Sequence, residues 1–170
     1  MISMSWIPRR FLAFLVLFFC FSLVSEAAIT ATLSTGKSRI PLGVNAEVMR
    51  MSVTATGSVS EVLSQVTLEN VSETVRFGRG VSRVRIFSSV NGQFDASSVS
   101  IGEQKFTSPV SNEVTVTLAP QTIAAGASAL YFIVYDVDST KTLISNGSET
   151  TTNVHVTSVG TSGGSFADLR

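Results

Sequence analysis

Among its 170 residues the chain has one cysteine, Cys20, one tryptophan, Trp6, and one histidine, His155, and each scarcity excludes a class of chemistry. A single cysteine closes no intrachain disulfide and builds no cysteine-rich metal site. A lone imidazole cannot supply the several ligands of a zinc hydrolase. No serine sits in the glycine-flanked elbow that would pair a nucleophile with His155 in a triad. Proline is down to four residues, and charged residues make up 14% against 44% apolar ones. That balance suits a packed globular chain rather than a disordered one. Helical periodicity is missing too: after residue 27 no stretch of ten residues repeats its apolar positions every three to four, so strands and loops are expected.

One long apolar run does stand at the start. Arg9 and Arg10 precede Phe11–Val24, and small residues Ser25 and Ala27 follow. A basic start, an apolar core too short to span a bilayer and a small-residue exit read as a secretory signal peptide over 1–27, cleaved after Ala27. Phe19 stands where lipidation of Cys20 would need a small residue. The mature chain, 143 residues without a cysteine, is the size of one domain. It keeps ten basic and eleven acidic side chains once Arg9, Arg10 and Glu26 leave. A charge of about −1 gives no reason to expect nucleic acid or an acidic membrane surface as partner. Exported cysteine-free domains point to a bacterial cell surface or exterior, the periplasm included.

The mature sequence reads as strands punctuated by turns. Ala129–Asp138, rich in β-branched and aromatic residues, is expected to be a central strand covered on both faces, with Tyr131, Ile133 and Tyr135 on one side and Phe132 and Val134 on the other. Further strands are expected at Ala28–Ser34, Val44–Ala55, Glu61–Val71 and Val81–Phe87, and around Val114–Leu118, where Pro120 should stop the strand. In Val44–Ala55 the apolar face switches at Val48–Met49, which predicts a bulge or two short strands. Asn91–Gly92 marks a turn. Ser97–Ile101 and Gly102–Phe106 read only as short apolar punctuation. Thr150–Val159 reads as an edge or half-exposed strand, with Val154 and Val156 inward and Asn153, His155 and Thr157 outward. Turn signals every roughly 8–14 residues predict a two-sheet antiparallel sandwich over 28–160. Residues 161–170 read as a Gly/Ser-rich tail or the start of a linker.

Three stretches, Arg83–Phe106 with its VNGQFD loop, Asn112–Val137 with its TIAAGASALYFIVYDV core, and Thr150–Val159, resemble an Ig-like β-sandwich module of bacterial secreted and surface-layer-type proteins. The resemblance covers about Glu61–Val159. It implies an all-β Ig-like sandwich acting as a spacer, adhesion unit or ancillary domain.

Candidate sites are few. Asn91 and Asp95 offer oxygens to calcium, but one acid falls short of the six or more oxygen ligands this ion takes, and an ordinary polar turn explains the loop. Asp136 and Asp138 share one side of a strand end without a calcium-loop pattern, and read as solvated acids. Arg76, Arg79, Arg83 and Arg85 form the one basic cluster. Arg83 and Arg85 must share a strand face, and the patch either meets an acidic polysaccharide or simply solvates the surface, answered by Glu69, Glu73 and Glu103. The Arg76–Gly80 segment lacks the ending of a phosphate loop. Asn70–Val71–Ser72 and Asn146–Gly147–Ser148 are glycosylation sequons that matter only in a eukaryotic host. The expectation is an exported, non-enzymatic structural or adhesion module with no cofactor, meeting other surface proteins or polysaccharide. Its alternatives are a carbohydrate-binding module, disfavoured by the scarcity of exposed aromatic rings, and a fibre subunit that polymerises by strand addition.

Overall fold

The computed structural model describes residues 28–34, 37, 39–71, 76–110, 112–138, 149–164 and 166–168. The expected leader at 1–27 and the Asn146 sequon lie outside them. Twelve strands run in chain order: β1 (Ile29–Leu33), β2 (Arg39–Pro41), β3 (Gly43–Ala55), β4 (Glu61–Asn70), β5 (Arg76–Phe77), β6 (Gly80–Ser88), β7 (Val99–Lys105), β8 (Glu113–Ile123), β9 (Ser128–Val137), β10 (Glu149–Thr151), β11 (Val154–Thr161) and β12 (Phe166–Asp168). The first sheet has the order β1-β3-β9-β6, with β5 and β7 both on β6; the second is β12-β11-β4-β8; β10 and β2 form a separate pair. All pairings are antiparallel except the two-residue β5–β6 contact, which is parallel.

The core lies between the two sheets, in the two-layer arrangement of a β-sandwich. Met51 and Val53 from β3, Ile86 from β6 and Ile133 and Tyr135 from β9 meet Leu63, Val66 and Leu68 from β4 and Val156 and Val159 from β11. Burying each such aliphatic side chain stabilises by about 1.5–3 kcal/mol, and this core is the main favourable term of the fold. Strand β9 sits between β3 and β6. Tyr131, Ile133 and Tyr135 point into the sandwich. Phe132 and Val134 point the other way, into a smaller cluster with Phe87 that Phe94 and Leu130 pack against. Both faces are covered, as the apolar run requires.

The face switch in β3 is a register shift against β9 between Glu47 and Met49, which lets Val48 and Met49 be buried in succession. Four expectations are corrected. Pro120 does not end β8, because among the described residues β8 pairs only with β4 and a register shift at Leu63–Gln65 leaves 118–120 off the ladder; proline is tolerated at such an edge bulge. The side-chain amide of Gln121 donates to the carbonyls of Ala119 and Pro120 there, at 2.9 and 3.1 Å. Residues 99–105, read as punctuation, are one continuous strand on β6. Thr157 is buried rather than outward, since a bulge between Val156 and Ser158 turns it inward. Strand β11 is not an edge: after a turn with Gly164 at φ 87°, the chain returns as β12 to pair with it.

At one flank the two sheets touch. A Cβ built on Gly102 of β7 would lie 2.7 Å from the Thr117 carbonyl oxygen and 2.6 Å from Leu118 Cδ2 of β8, so only glycine fits.

Phe132 is fully buried and His155 exposed. Phe132→Ala should therefore cost about 3–5 kcal/mol and His155→Ala less than about 0.5 kcal/mol, read as urea midpoints; comparable losses would show that β9 is not the core. The Tyr135 hydroxyl is buried and has no hydrogen-bond partner among the described residues. An unmet hydroxyl costs about 1–3 kcal/mol, so Tyr135→Phe should raise the midpoint, and a lowered one would mean that the hydroxyl has a partner.

Candidate functional site on the outer face of the first sheet

The outer face of the first sheet carries both an ion cluster and an aromatic cluster, and the cross-strand register builds each. Arg83 of β6 stands opposite Asp136 of β9, and Arg85 opposite Val134. Because strand side chains alternate, both guanidinium groups reach one carboxylate. Arg83 Nε donates to Asp136 Oδ2 at 2.7 Å and its Nη2 approaches the same oxygen at 2.5 Å. Arg85 Nη2 donates to Asp136 Oδ1. That oxygen also accepts the backbone N–H of Asn45 at 3.0 Å. Asn45 adopts φ 63°, a left-handed conformation that asparagine tolerates, inside a register shift between Gly43 and Ala46. The bulge aims its N–H at the carboxylate.

Asp136 is thus an anchor tying β3, β6 and β9, with only 7% of its side chain exposed. This corrects the reading of a solvated strand-end acid. Burial alone would push its pKa up. The Asn45 N–H and the two guanidinium groups outweigh that and hold the carboxyl below its ordinary range. Arg83 Nη1 also reaches Glu103 of β7 at 3.5 Å, and Lys105 Nζ reaches it at 3.2 Å. Of the three acids expected to answer the arginines, Glu103 alone does so among the described residues. Glu69 lies on the second sheet, opposite Glu113 on one side and His155 on the other. Glu73 lies outside the described residues. Arg76 and Arg79 are exposed in the β5–β6 turn and do not join the cluster.

Beside the ions lies the aromatic cluster. The 89–98 loop between β6 and β7 folds back so that the Phe94 ring lies 5.2 Å from Phe87 and 5.7 Å from Phe132. Arg85 sits over the Phe87 ring at 5.5 Å and Arg50 over Phe132 at 5.3 Å, within cation–π range. The loop is held by its own polar side chains. Asp95 Oδ1 accepts from the Ser97 hydroxyl at 2.6 Å and the Ser97 N–H at 2.8 Å. Asp95 Oδ2 accepts from Asn91 Nδ2 at 2.6 Å. The Ser97 hydroxyl, then the Asn91 amide, lower the Asp95 pKa.

For calcium, this geometry turns the two candidate residues the wrong way. Asn91 presents its NH₂ to Asp95, while its oxygen accepts from Ser89 Oγ and Gln93 N–H, so they do not offer oxygens to a common point. Among the described residues no three His, Cys, Asp or Glu side chains converge as a metal group would. Asn70 is fully buried on β4, so its sequon cannot carry a glycan in the folded chain. Sequence reasoning named Asp136 but missed its burial and its partners. The signal was an acid set between Tyr135 and Val137 in an otherwise apolar stretch, whose burial demands partners.

No protein-family model matches the chain, and comparison with curated proteins finds no match. Among solved structures the chain is similar to GH31 CBM32-2 bound to GalNAc, at 10% identity and a TM-score of 0.30, over 66% of this chain and 97% of that one. It is also similar to the CBM32-1 and CBM32-2 domains of Clostridium perfringens ZmpB, at 14% identity and a TM-score of 0.30, over 64% of this chain and 35% of that one. Likenesses this slight say nothing of what this chain binds.

A carboxyl whose folded pKa is depressed contributes stability that is present above its unfolded pKa, about 3.9, and is lost as pH falls through the folded value. Urea midpoints should therefore drop with acidification below about pH 4, and that part of the drop should be missing in Asp136→Asn. At neutral pH the variant should lose on the order of 3 kcal/mol, because two arginines keep their charge without its partner. An unchanged acid profile would show that Asp136 does not set it.

Proposed function

We propose that this chain is an exported, non-enzymatic β-sandwich module of Ig-like type, serving as a structural or adhesive unit at the bacterial surface or outside the cell. The observation that carries this reading is the use to which the ionisable groups are put. Asp136, Arg83 and Arg85 cross-link three strands of one sheet. The chain's single imidazole stands exposed on the outer face of the other. General acid–base or nucleophilic catalysis needs such groups within hydrogen-bond reach of one another around a reacting atom. Here the strongest cluster is an internal tie. The leader-like start supports export, and no helix among the described residues is long and apolar enough to cross a membrane.

The second reading, a carbohydrate-binding module, is supported by Phe94. Its ring is partly exposed, while those of Phe77, Phe87, Phe106, Tyr131, Phe132 and Tyr135 are buried. Asn91, Gln93 and Asp95 flank it with the hydrogen-bonding groups that a sugar's hydroxyls require, beside a face for its apolar side. A fibre subunit that donates its first strand fits less well, since β1 pairs in register with β3 of its own body, Ile29 opposite Ala55 through Leu33 opposite Met51.

Two measurements separate these readings. On a panel of hydrolase substrates the protein should show no turnover, and activity that disappears in His155→Ala would overturn the main reading. On a glycan array it should show no sugar-selective retention. Strong selective retention lost in Phe94→Ala would replace the main reading with the second.

A further inference from the structure

We propose that Asn91 is a site of spontaneous deamidation promoted by the loop that covers the outer aromatic cluster. Asn91 is exposed and is followed by Gly92, at φ 74°, with nothing within 4 Å of where a Cβ would be. The nucleophile is the Gly92 backbone nitrogen, and no side chain on that residue hinders its approach. The Asn91 Oδ1 accepts hydrogen bonds from Ser89 Oγ at 2.6 Å and from Gln93 N–H at 2.9 Å. The second of these is an Asx turn, which folds the amide back over the Asn91–Gly92 peptide bond. Both donors point at the oxygen on which negative charge develops as nitrogen adds to Cγ, the arrangement of an oxyanion hole.

The step balances without oxidant or reductant. Gly92 N loses its proton as it bonds to Asn91 Cγ, the Cγ–Nδ2 bond breaks, and ammonia leaves carrying that proton. Water then opens the five-membered imide at either carbonyl, leaving aspartate or isoaspartate at 91. The other described asparagines precede residues with side chains, Ala46, Val71, Glu113 and Val154, and Asn70 is also buried.

The product has a mechanical meaning. Asn91 Nδ2 latches the loop by donating to Asp95 Oδ2 at 2.6 Å. Deamidation replaces that donor with a carboxylate, so attraction becomes repulsion between like charges. The loop loses its latch and Phe94 its hold on Phe87 and Phe132, which opens the aromatic face.

The test is peptide mapping by mass spectrometry during incubation of the purified protein in mildly alkaline buffer. Residue 91 should gain the mass of the acid before Asn45, Asn112 or Asn153. Ser89→Ala should slow that gain roughly fivefold, the worth of one hydrogen bond to the developing oxyanion. Protease cleavage within 89–98 should rise in step, and Asn91→Asp should show it from the outset. The proposal is overturned if Asn91 stays intact in the folded protein while the urea-unfolded chain converts it, because the loop then protects. An equal rate in Ser89→Ala also overturns it, since conversion then owes nothing to loop geometry.

Discussion

From Ala129 to Tyr135 strand β9 has no polar side, and the rest of the molecule answers to that constraint. A strand apolar on both faces must be covered on both. One face is met by the opposite sheet. The other would look into solvent, and is instead roofed by Phe87 and the returning 89–98 loop. The one charge on the strand is then trapped between hydrophobic surroundings and the sheet surface, and an unpaired charge there would be very costly. Arg83, Arg85 and the bulged Asn45 N–H all serve that single carboxylate.

The net contribution of such a clamp to stability is modest, because desolvation offsets much of the attraction. Its larger effect is on register. A one-residue slip of β6 against β9 would turn Arg83 and Arg85 into the sandwich and Val84 and Ile86 out of it. The same alternation places Arg85 against both Asp136 and the Phe87 ring, so the ion cluster and the aromatic cluster are parts of one surface.

Much of the fold was legible because period-two patterning reports faces directly. The two-sided burial of β9, the face switch at Val48–Met49 and the outward His155 could all be read from alternation within a single strand, although alternation alone did not separate a bulge from two short strands. What could not be read depends on the partner strand. Pro120 inside β8 is permitted only because β8 is an edge with a local register shift, and Thr157 is buried only because of a bulge against β4. The 99–105 strand is hard to see because its side chains are mostly exposed and polar, with Ile101 alone inward. At the candidate site, strand geometry placed Arg83 and Arg85 on one face. Their shared partner comes from about fifty residues away, and no local pattern announces such a pairing. Phe94 carried no signal of its place over the outer face, since a sequence does not say which side of a sheet a loop will fold over.

The close approach at Gly102 bears on how the molecule behaves among copies of itself. Sheet margins expose unpaired backbone donors and acceptors, and neighbouring chains can use them as templates. Where β7 leans on β8 at Gly102, the protein's own backbone takes the space beside that residue, so a foreign strand meets an obstacle at that point of the margin. A domain that depends on packing rather than disulfides gains from this at high local concentration. One missing side chain at residue 102 helps keep crowded neighbours from joining sheet to sheet.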